Sequence, residues 1–202
     1  MSDSLLPLFP LGIVLFPGTQ VPLHIFEERY KELIGEATQH DTEFGIVLAV
    51  DRGLVNIGCS ARVAQVVERY DDGRLDILVE GQRRFELTAL DHGRNYLRGE
   101  VEFIEDDEPE APLPLRQKAI EAFRRAFPET DERVDTSADL LSFQLAQVLT
   151  DTETRQQFLQ LRSEPERLRR LIEILPGLAR KRELTEKMRA LAPKNGHGKH
   201  LQ

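Results

Sequence analysis

The sequence predicts an α+β fold in which a β-rich first half with one packed helix precedes an α-helical bundle. Up to about residue 104, short apolar runs are separated by glycine, proline and aspartate, as strands and turns require. Beyond residue 114, apolar residues recur at helical spacing. Between them, residues 105–114 (EDDEPEAPLP) combine like charges with three prolines, which favours neither helix nor strand. We therefore predict a β-rich domain over residues 1–110, a helical domain over 111–192 and a flexible tail over 193–202.

The strongest local prediction in the first half is a β-hairpin. Its turn is YDDGR at residues 70–74, where Asp72-Gly73 allows the positive φ angles of a tight turn. Leu97, Val101 and Phe103 fall on one face of a half-buried strand. The sheet is expected to be mostly antiparallel, with strands at residues 43–50, 61–68, 75–80, 84–90 and 96–104.

One helix interrupts these strands. Its apolar residues lie at helical spacing and form a single stripe, which should pack across the sheet. The stripe consists of Phe26, Tyr30, Leu33, Ile34 and Ala37.

The helices of the second half are predicted from three apolar sets and their end residues. Residues 163–166 (SEPE) have the spacing of a capping box with a proline in the first turn, and Pro176-Gly177 predicts the end of that helix. A last helix should carry Leu184, Met188 and Leu191 inward. The three apolar sets are Ile120, Phe123 and Phe127; Leu141, Leu145, Val148 and Leu149; and Leu168, Leu171, Ile172 and Leu175.

Composition indicates a soluble globular protein in a reducing compartment. Of 202 residues 40% are hydrophobic and 31% charged, and no apolar run approaches the roughly 18 residues of a membrane-spanning helix. The first residues lack the Lys/Arg start of a secretory signal. The single cysteine, Cys59, has no partner for an internal disulfide. We therefore expect a cytoplasmic protein without a membrane partner.

Charge is distributed unevenly along the chain. Residues 1–110 hold 10 Lys/Arg against 22 Asp/Glu, a net charge of −12, whereas residues 111–202 have a net charge of +4. Affinity for nucleic acid depends on clustered Lys/Arg, so the acidic half is a poor surface for phosphate backbones. We expect no nucleic-acid partner.

Residues 6–30 (LPLFPLGIVLFPGTQVPLHIFEERY) form two short extended pieces joined at Phe16-Pro17-Gly18 and followed directly by the helix. Proline fixes φ and removes an amide donor, so the four prolines confine these strands to edges or bends.

This segment resembles the start of the amino-terminal domain of Lon proteases, in its PLFPL opening, its FPG turn and its FEERY helix start. Further agreement in order and spacing covers the Asp-Gly hairpin, residues 58–63 and 79–85 (VEGQRRF), Gln156-Gln157 and Glu166-Arg167-Leu168. The resemblance extends over about residues 5–190.

The resemblance implies a β-rich pseudo-barrel similar to PUA-like domains, followed by a helical bundle. In Lon this region selects and holds protein substrates, whereas ATP hydrolysis and peptide cleavage belong to other modules. The chain contains no Gly-x-x-x-x-Gly-Lys-Ser/Thr phosphate loop. It therefore resembles a stand-alone Lon substrate-binding domain protein without enzymatic activity or cofactor.

Two residues, His24 and Cys59, are of types that could take part in catalysis. His24 with Glu27 could act as an oriented base, but a hydrogen bond to backbone at the helix start is favoured, with Glu27 at the helix dipole and Arg29 in a structural pair. Cys59 is interpreted as a small buried residue because His40 and His92 belong to other segments and form no triad pattern with it.

Other charged or metal-binding residue types are also given structural interpretations. The acidic residues 105–108 lack the spacing of a calcium loop and are interpreted as solvated linker. His197 and His200 lack a third ligand and are treated as incidental. Arg83 and Arg84 should point to opposite faces of a strand, one of them paired with an acid. The run of residues 180–182 (RKR) is interpreted as a solvated helix face.

No catalytic, cofactor-binding or metal-binding residue is therefore assigned, and the binding surface is left open. The leading hypothesis is a module that binds exposed apolar or unfolded polypeptide segments, or a protease or chaperone partner, in a groove between the two halves. The alternatives are RNA binding through the PUA-like half and an unrecognised hydrolase using Cys59 or His24. A homo-oligomer is left open.

Overall fold

The computed structural model describes residues 5–191, without the side chains of residues 131–133 and 189–191. A large, mainly antiparallel sheet is followed by helices, which confirms the predicted α+β class. The strands are β1 (Leu6–Leu11), β2 (Gln20–Ile25), β3 (Phe44–Val50), β4 (Gly53–Leu54), β5 (Ile57–Arg69), β6 (Leu75–Asp91) and β7 (Arg98–Ile104). The helices are α1 (Glu28–His40), α2 (Leu113–Ala126), α3 (Leu141–Leu145), α4 (Thr152–Gln160) and α5 (Glu164–Leu191), with 3-10 turns at Pro128–Arg133 and Ala146–Val148.

Five strands close on themselves. They follow the order β1-β7-β6-β5-β3, and β1 also pairs in parallel with β3, so the sheet returns to its first strand. Closure removes the exposed edges that an open sheet would leave. The other pairings are antiparallel, as predicted.

The predicted hairpin is present between β5 and β6, with Gly73 at φ 82° in its turn. Residues 75–80 and 84–90, predicted as successive strands, belong to the single long strand β6. The first part of β6 pairs with β2 on one side, and its second part pairs with β7. Strand β5 pairs with β6 along both parts. One strand thus connects two parts of the sheet.

Gly81 marks the point in β6 where the β1–β2 turn approaches. Its amide donates to the carbonyl of Thr19 (3.0 Å) and its own carbonyl accepts from the amide of Gly18 (2.8 Å). A Cβ at this position would lie 2.2 Å from the carbonyl oxygen of Phe16. Only glycine permits this approach, which fixes the Phe16-Pro17-Gly18 turn against β6.

Helix α1 buries Tyr30, Leu33, Ile34 and Ala37, as the apolar stripe predicts. The prediction for Phe26 is wrong, because it precedes the helix and is 61% exposed. The core position at the end of β2 is taken by Ile25 instead.

The helical half shares its core with the barrel. Side chains from α2, α3, α4 and α5 belong to the same buried cluster as those of β2, β3 and α1. The division at residue 110 stays a prediction.

Helix α5 does not end where the sequence predicts. It continues through Pro176-Gly177 to Leu191, so the predicted stop is wrong. An internal proline removes one amide donor and tends to kink or break a helix. Here buried Leu168, Leu171 and Leu175 anchor the preceding turns, and the following Leu-Ala-Arg-Lys-Arg-Glu-Leu consists of good helix formers.

The far end of α5 also contradicts a prediction. Leu184 and Met188 do not point inward but are 59% and 64% exposed. The side chain of Leu191 and the predicted tail at 193–202 lie outside the described residues. Among the helices described, none combines the length and apolarity needed to cross a membrane.

Candidate functional site

A cleft of about 380 Å³ opens where the barrel meets the helical half. We call it the junction cleft. Its apolar lining comes from four separate parts of the chain, namely the β1–β2 turn, β7, the linker before α2 and the residue before α3. The turn contributes Pro17, β7 contributes Phe103 and Ile104, the linker contributes Pro109, and the residue before α3 is Leu140. The polar lining consists of Gln82, Arg83, Arg84, Glu105 and Asp106.

Pro17 reaches the cleft because its turn is held on two sides. Gly81 binds the turn through the backbone bonds described above. From the helical half, Gln144 Nε2 donates to the carbonyl of Gly18 at 2.7 Å. The side chain of Phe16 beneath the turn stacks on Phe143, with ring centroids 5.2 Å apart. The wall formed by Pro17 is therefore fixed before any ligand arrives.

Arg83 and Phe103 form another part of the lining. The Arg83 guanidinium lies 3.6 Å from the centroid of the Phe103 ring, which is cation–π geometry. Arg83 Nη2 also donates to Glu43 Oε2 at 3.1 Å. Phe103 remains 41% exposed, so this aromatic surface is open to the cleft.

The floor of the cleft is a buried ion pair. Arg84, adjacent in sequence to Arg83, turns inward as strand alternation requires, and its guanidinium pairs with Asp106. Arg84 Nη1 also donates to the carbonyls of Leu159 (3.0 Å) and Leu161 (2.6 Å). Burial lowers the pKa of Arg84, and the Asp106 carboxylate opposes this shift.

Arg167 and Glu164 extend this pair into a buried ion cluster, which we define as Arg84, Asp106, Glu164 and Arg167. Their side chains are at most 3% exposed. Arg167 pairs with Asp106, and its Nη2 lies 2.9 Å from Glu164 Oε2. Two positive and two negative side chains balance, which is the condition for burying charge.

Helix α3 is tied to this cluster through Ser142. The amide of Ser142 donates to Glu164 Oε1 at 2.8 Å, and its hydroxyl accepts from Arg167 Nε at 2.7 Å. The Arg167 guanidinium also lies 4.3 Å from the centroid of the Phe143 ring. The cluster therefore joins β6, the linker, α3 and α5.

The polar groups of the floor are thus already paired within the protein. A ligand in the junction cleft would contact the apolar walls and the ring of Phe103. Contacts of this kind depend on apolar area and shape rather than on one polar partner.

Two sequence predictions are resolved here. Arg83 and Arg84 do point to opposite faces, and both pair with acids. The interpretation of residues 105–108 as solvated linker is wrong for Asp106, whose side chain is 2% exposed. Its arginine partners lie far away in sequence, so no local pattern indicated them.

His24 lies on the barrel surface, away from the lining of the junction cleft. Its Nδ1 donates to Asp76 Oδ1 at 2.6 Å, which replaces the predicted backbone bond. Tyr70 Oη donates to Asp76 Oδ2 at 2.7 Å. The bonds from His24 and Tyr70 lower the pKa of Asp76, while the bond to Asp76 raises the pKa of Tyr70 to about 12.

The remaining candidates have structural settings. Glu27 and Arg29 pair with each other at 2.7 Å, as expected for Arg29. Cys59 is buried, as predicted, and burial raises the pKa of its thiol. Within residues 180–182, Arg182 pairs with Glu129 and Glu186. His197 and His200 lie outside the described residues.

Sequence reasoning missed Pro17, Phe103, Pro109 and Leu140 as a common surface. The alternation of residues places Phe103 on a strand face, but nothing in the sequence indicates that Leu140 lines the same cleft. In the described part of the chain, no group of three or more His, Cys, Asp or Glu side chains is arranged to hold a metal ion.

Known proteins similar to this chain are Lon proteins. Residues 5–176 match the family described as ATP-dependent protease La (LON) substrate-binding domain. Lon protease 2 of Herpetosiphon aurantiacus is 30% identical over 84% of this chain and 23% of its own length. The Lon protease of Parabacteroides distasonis is 32% identical over 52% of this chain and 14% of its own length. The chain thus spans less than a quarter of either relative.

Solved structures agree. The Lon N-terminal domain protein from Xanthomonas campestris is 27% identical, with a TM-score of 0.69 over 84% of this chain and 98% of that one. The N-terminal domain of the Mycobacterium avium complex Lon protease shares the fold, at 23% identity and a TM-score of 0.63 over 86% of this chain and 98% of its own. The closed barrel, the helical half and the family match over residues 5–176 together show that this chain belongs to the Lon substrate-binding domain family.

Proposed function

We propose that this chain is a non-catalytic, cytoplasmic module that binds unfolded polypeptide segments in the junction cleft. The observation that carries the proposal is an open, largely apolar cleft whose polar floor is already paired. Such a surface suits apolar side chains of many sequences, because it demands no particular polar group from the ligand. Membership of a substrate-binding family supports the same class of ligand.

The charge of the cleft favours polypeptide over RNA. The lining contains two basic residues, Arg83 and Arg84, and two acidic residues, Glu105 and Asp106. Arg84 is already paired with Asp106 in the buried ion cluster. Phosphate backbones require unpaired basic groups.

Binding is tested with a fluorescently labelled, reduced and carboxymethylated α-lactalbumin, measured by anisotropy. Phe103→Ala removes the exposed ring and should weaken binding by about five- to thirty-fold, as expected for about 1–2 kcal/mol of lost apolar contact. Leu140→Ser, at another apolar position of the lining, should act in the same direction.

Phe26→Ala is the matched control, because Phe26 is more exposed than Phe103 but does not line the cleft. Equal affinity of the Phe103 and Phe26 variants would place the binding surface elsewhere. No binding by the unmodified chain would remove the proposed function itself.

The non-catalytic part is tested separately. The purified chain should neither hydrolyse ATP nor cleave the labelled polypeptide. Activity that disappears in His24→Ala or Cys59→Ala would support the hydrolase alternative instead.

A further inference from the structure

The last turns of α5 carry an apolar face that the described chain does not cover. Ile174 and Leu178 lie four residues apart, as do Leu184 and Met188, and the two pairs share one broad side of the helix. Ile174 and Leu178 are partly buried against the core. Leu184 and Met188 are 59% and 64% exposed. The family match ends at residue 176, so most of this face lies beyond it.

One flank of the same segment, next to the apolar face, is anchored to the body of the protein. Arg182 pairs with Glu129, and its guanidinium lies 5.4 Å from the centroid of the Phe127 ring. This contact fixes the rotation of the helix about its axis. The apolar face is therefore held outward.

The start of this face is a groove. Helix α5 and the segment that leads into α4 enclose about 470 Å³, with Leu149, Ile174 and Leu178 in the lining. Two acidic side chains, Asp151 and Glu173, and two basic ones, Arg180 and Lys181, add charged groups to it. A groove and an exposed apolar stripe thus lie on one helix, on either side of Lys181.

Gly177 lies in the groove lining and is unexplained by the chain's own packing. A Cβ there would meet no atom within 4 Å, and Gly177 is not among the glycines with positive φ. Glycine inside a helix is unfavourable, since it gives up more conformational freedom than alanine. A small residue at this point does allow another helix backbone to approach closely.

We propose that a second copy of this chain occupies this face, with the two α5 helices antiparallel and a two-fold axis near Lys181. In this register Leu178 faces Leu184 of the other copy, and Ile174 faces Met188. Gly177 faces Thr185, which is also small. Each copy places its stripe in the groove of the other, as the symmetry of an isologous dimer requires.

Charge is complementary in the same register. Glu173 and Lys187 lie on the same flank of the face, near its two ends, so each Glu173 approaches Lys187 of the other copy. The two Lys181 side chains meet at the axis, where Asp151 in each groove offsets their repulsion. Because only one helix per copy and the adjoining groove are buried, we expect a weak dimer.

Sedimentation velocity of the full 202-residue chain tests the proposal. We expect a monomer–dimer equilibrium with a dissociation constant in the micromolar range, raised about tenfold or more by Leu184→Glu or Met188→Glu. Glu183→Gln, on the back of the helix, is the control and should leave the constant unchanged. A chain that remains monomeric up to about 1 mM overturns the proposal.

Gly177 provides a readout that a purely structural role would not give. Gly177→Ala should raise the thermal unfolding temperature of the monomer, because alanine is the better helix residue, yet weaken the dimer. Unchanged or tighter dimerisation in Gly177→Ala or Gly177→Leu would contradict close packing at this point.

The register is tested by cross-linking in a Cys59→Ala background. Lys181→Cys should form a disulfide-linked dimer under mild oxidation, because the two side chains meet at the axis, whereas Glu183→Cys should not. Equal cross-linking at both positions, or none at Lys181→Cys, would overturn the antiparallel arrangement. Leu184→Glu should leave polypeptide binding at the junction cleft unchanged, which separates this inference from the proposed function.

Discussion

Two charged sites in this protein contain similar chemical groups in opposite surroundings. The buried ion cluster joins four side chains that are almost completely excluded from solvent. The surface site on the barrel joins His24, Asp76 and Tyr70, with His24 and Asp76 substantially exposed. Water can replace a lost partner at the surface site but not in the cluster. The cluster should therefore determine stability, whereas the surface site should mainly shift titration behaviour.

The largest effect is expected for Asp106→Ala. This change removes the carboxylate that pairs with both Arg84 and Arg167 and leaves two buried guanidinium groups under-compensated. We expect a loss of about 3–5 kcal/mol in the free energy of unfolding, measured by urea denaturation. Asp107→Ala is the matched control, because the adjacent Asp107 is exposed and, among the described residues, forms an ion pair with the exposed Arg162. A similar loss of unfolding free energy in both variants would show that burial does not make the ion cluster more important for stability than a surface ion pair.

A smaller effect is expected for Glu164→Gln. The amide keeps one acceptor oxygen but cannot accept from Ser142 and Arg167 together without turning its NH₂ group toward a donor. We expect a loss of about 2 kcal/mol in the same measurement. Glu166→Gln, an exposed position on α5, should change little. An unchanged free energy of unfolding in Glu164→Gln would show that Asp106 alone compensates the two buried arginines.

At the surface site, the expected change is in a pKa. The hydrogen bond to Asp76 raises the pKa of Tyr70 to about 12, so Asp76→Asn should move it back toward 10. The ionisation is followed by absorbance near 295 nm, with Tyr70→Phe identifying the contribution of this residue. An unchanged titration in Asp76→Asn would show that Asp76 does not cause the shift.

The same linkage gives the direction of the pH dependence. Because Tyr70 has a higher pKa in the folded state, its contribution to stability is complete below about pH 10 and is lost as pH rises through 12. Asp76 has a lowered pKa, so its contribution is present above its ordinary pKa and is lost as pH falls through the folded value. Replacing His24 by alanine should raise the pKa of Asp76, which is measurable by NMR titration of the carboxyl carbon.

Local sequence predicted the strands and the helix of the first half better than the cleft. Alternation, the Asp72-Gly73 turn and the 3.6-residue period depend on neighbouring residues, so the β5–β6 hairpin and the buried face of α1 are predictable. The cleft depends on Phe103 meeting Leu140 and Pro17, which are separated along the chain. Sequence periodicity predicts which face of a helix or strand is buried, but it does not predict which other helix or strand packs against that face.

The errors have related causes. The polar neighbours of Asp106 predict a solvated side chain, whereas the packing of the barrel against α5 brings Arg84 and Arg167 to it. Pro176-Gly177 predicts a helix end, yet packing before it and helix propensity after it allow α5 to continue to Leu191. Leu184 and Met188 have the spacing of buried residues, but the described part of the chain leaves them exposed.

By itself, the sequence determined the α+β class, the family and the opening turn, because these are specified by local backbone preferences and by a contiguous motif at residues 6–30. Only the tertiary structure decided which charges are buried, which apolar residues line a cleft and which face of α5 is left open. Burial is a property of all the elements that surround a residue, and no single segment contains that information.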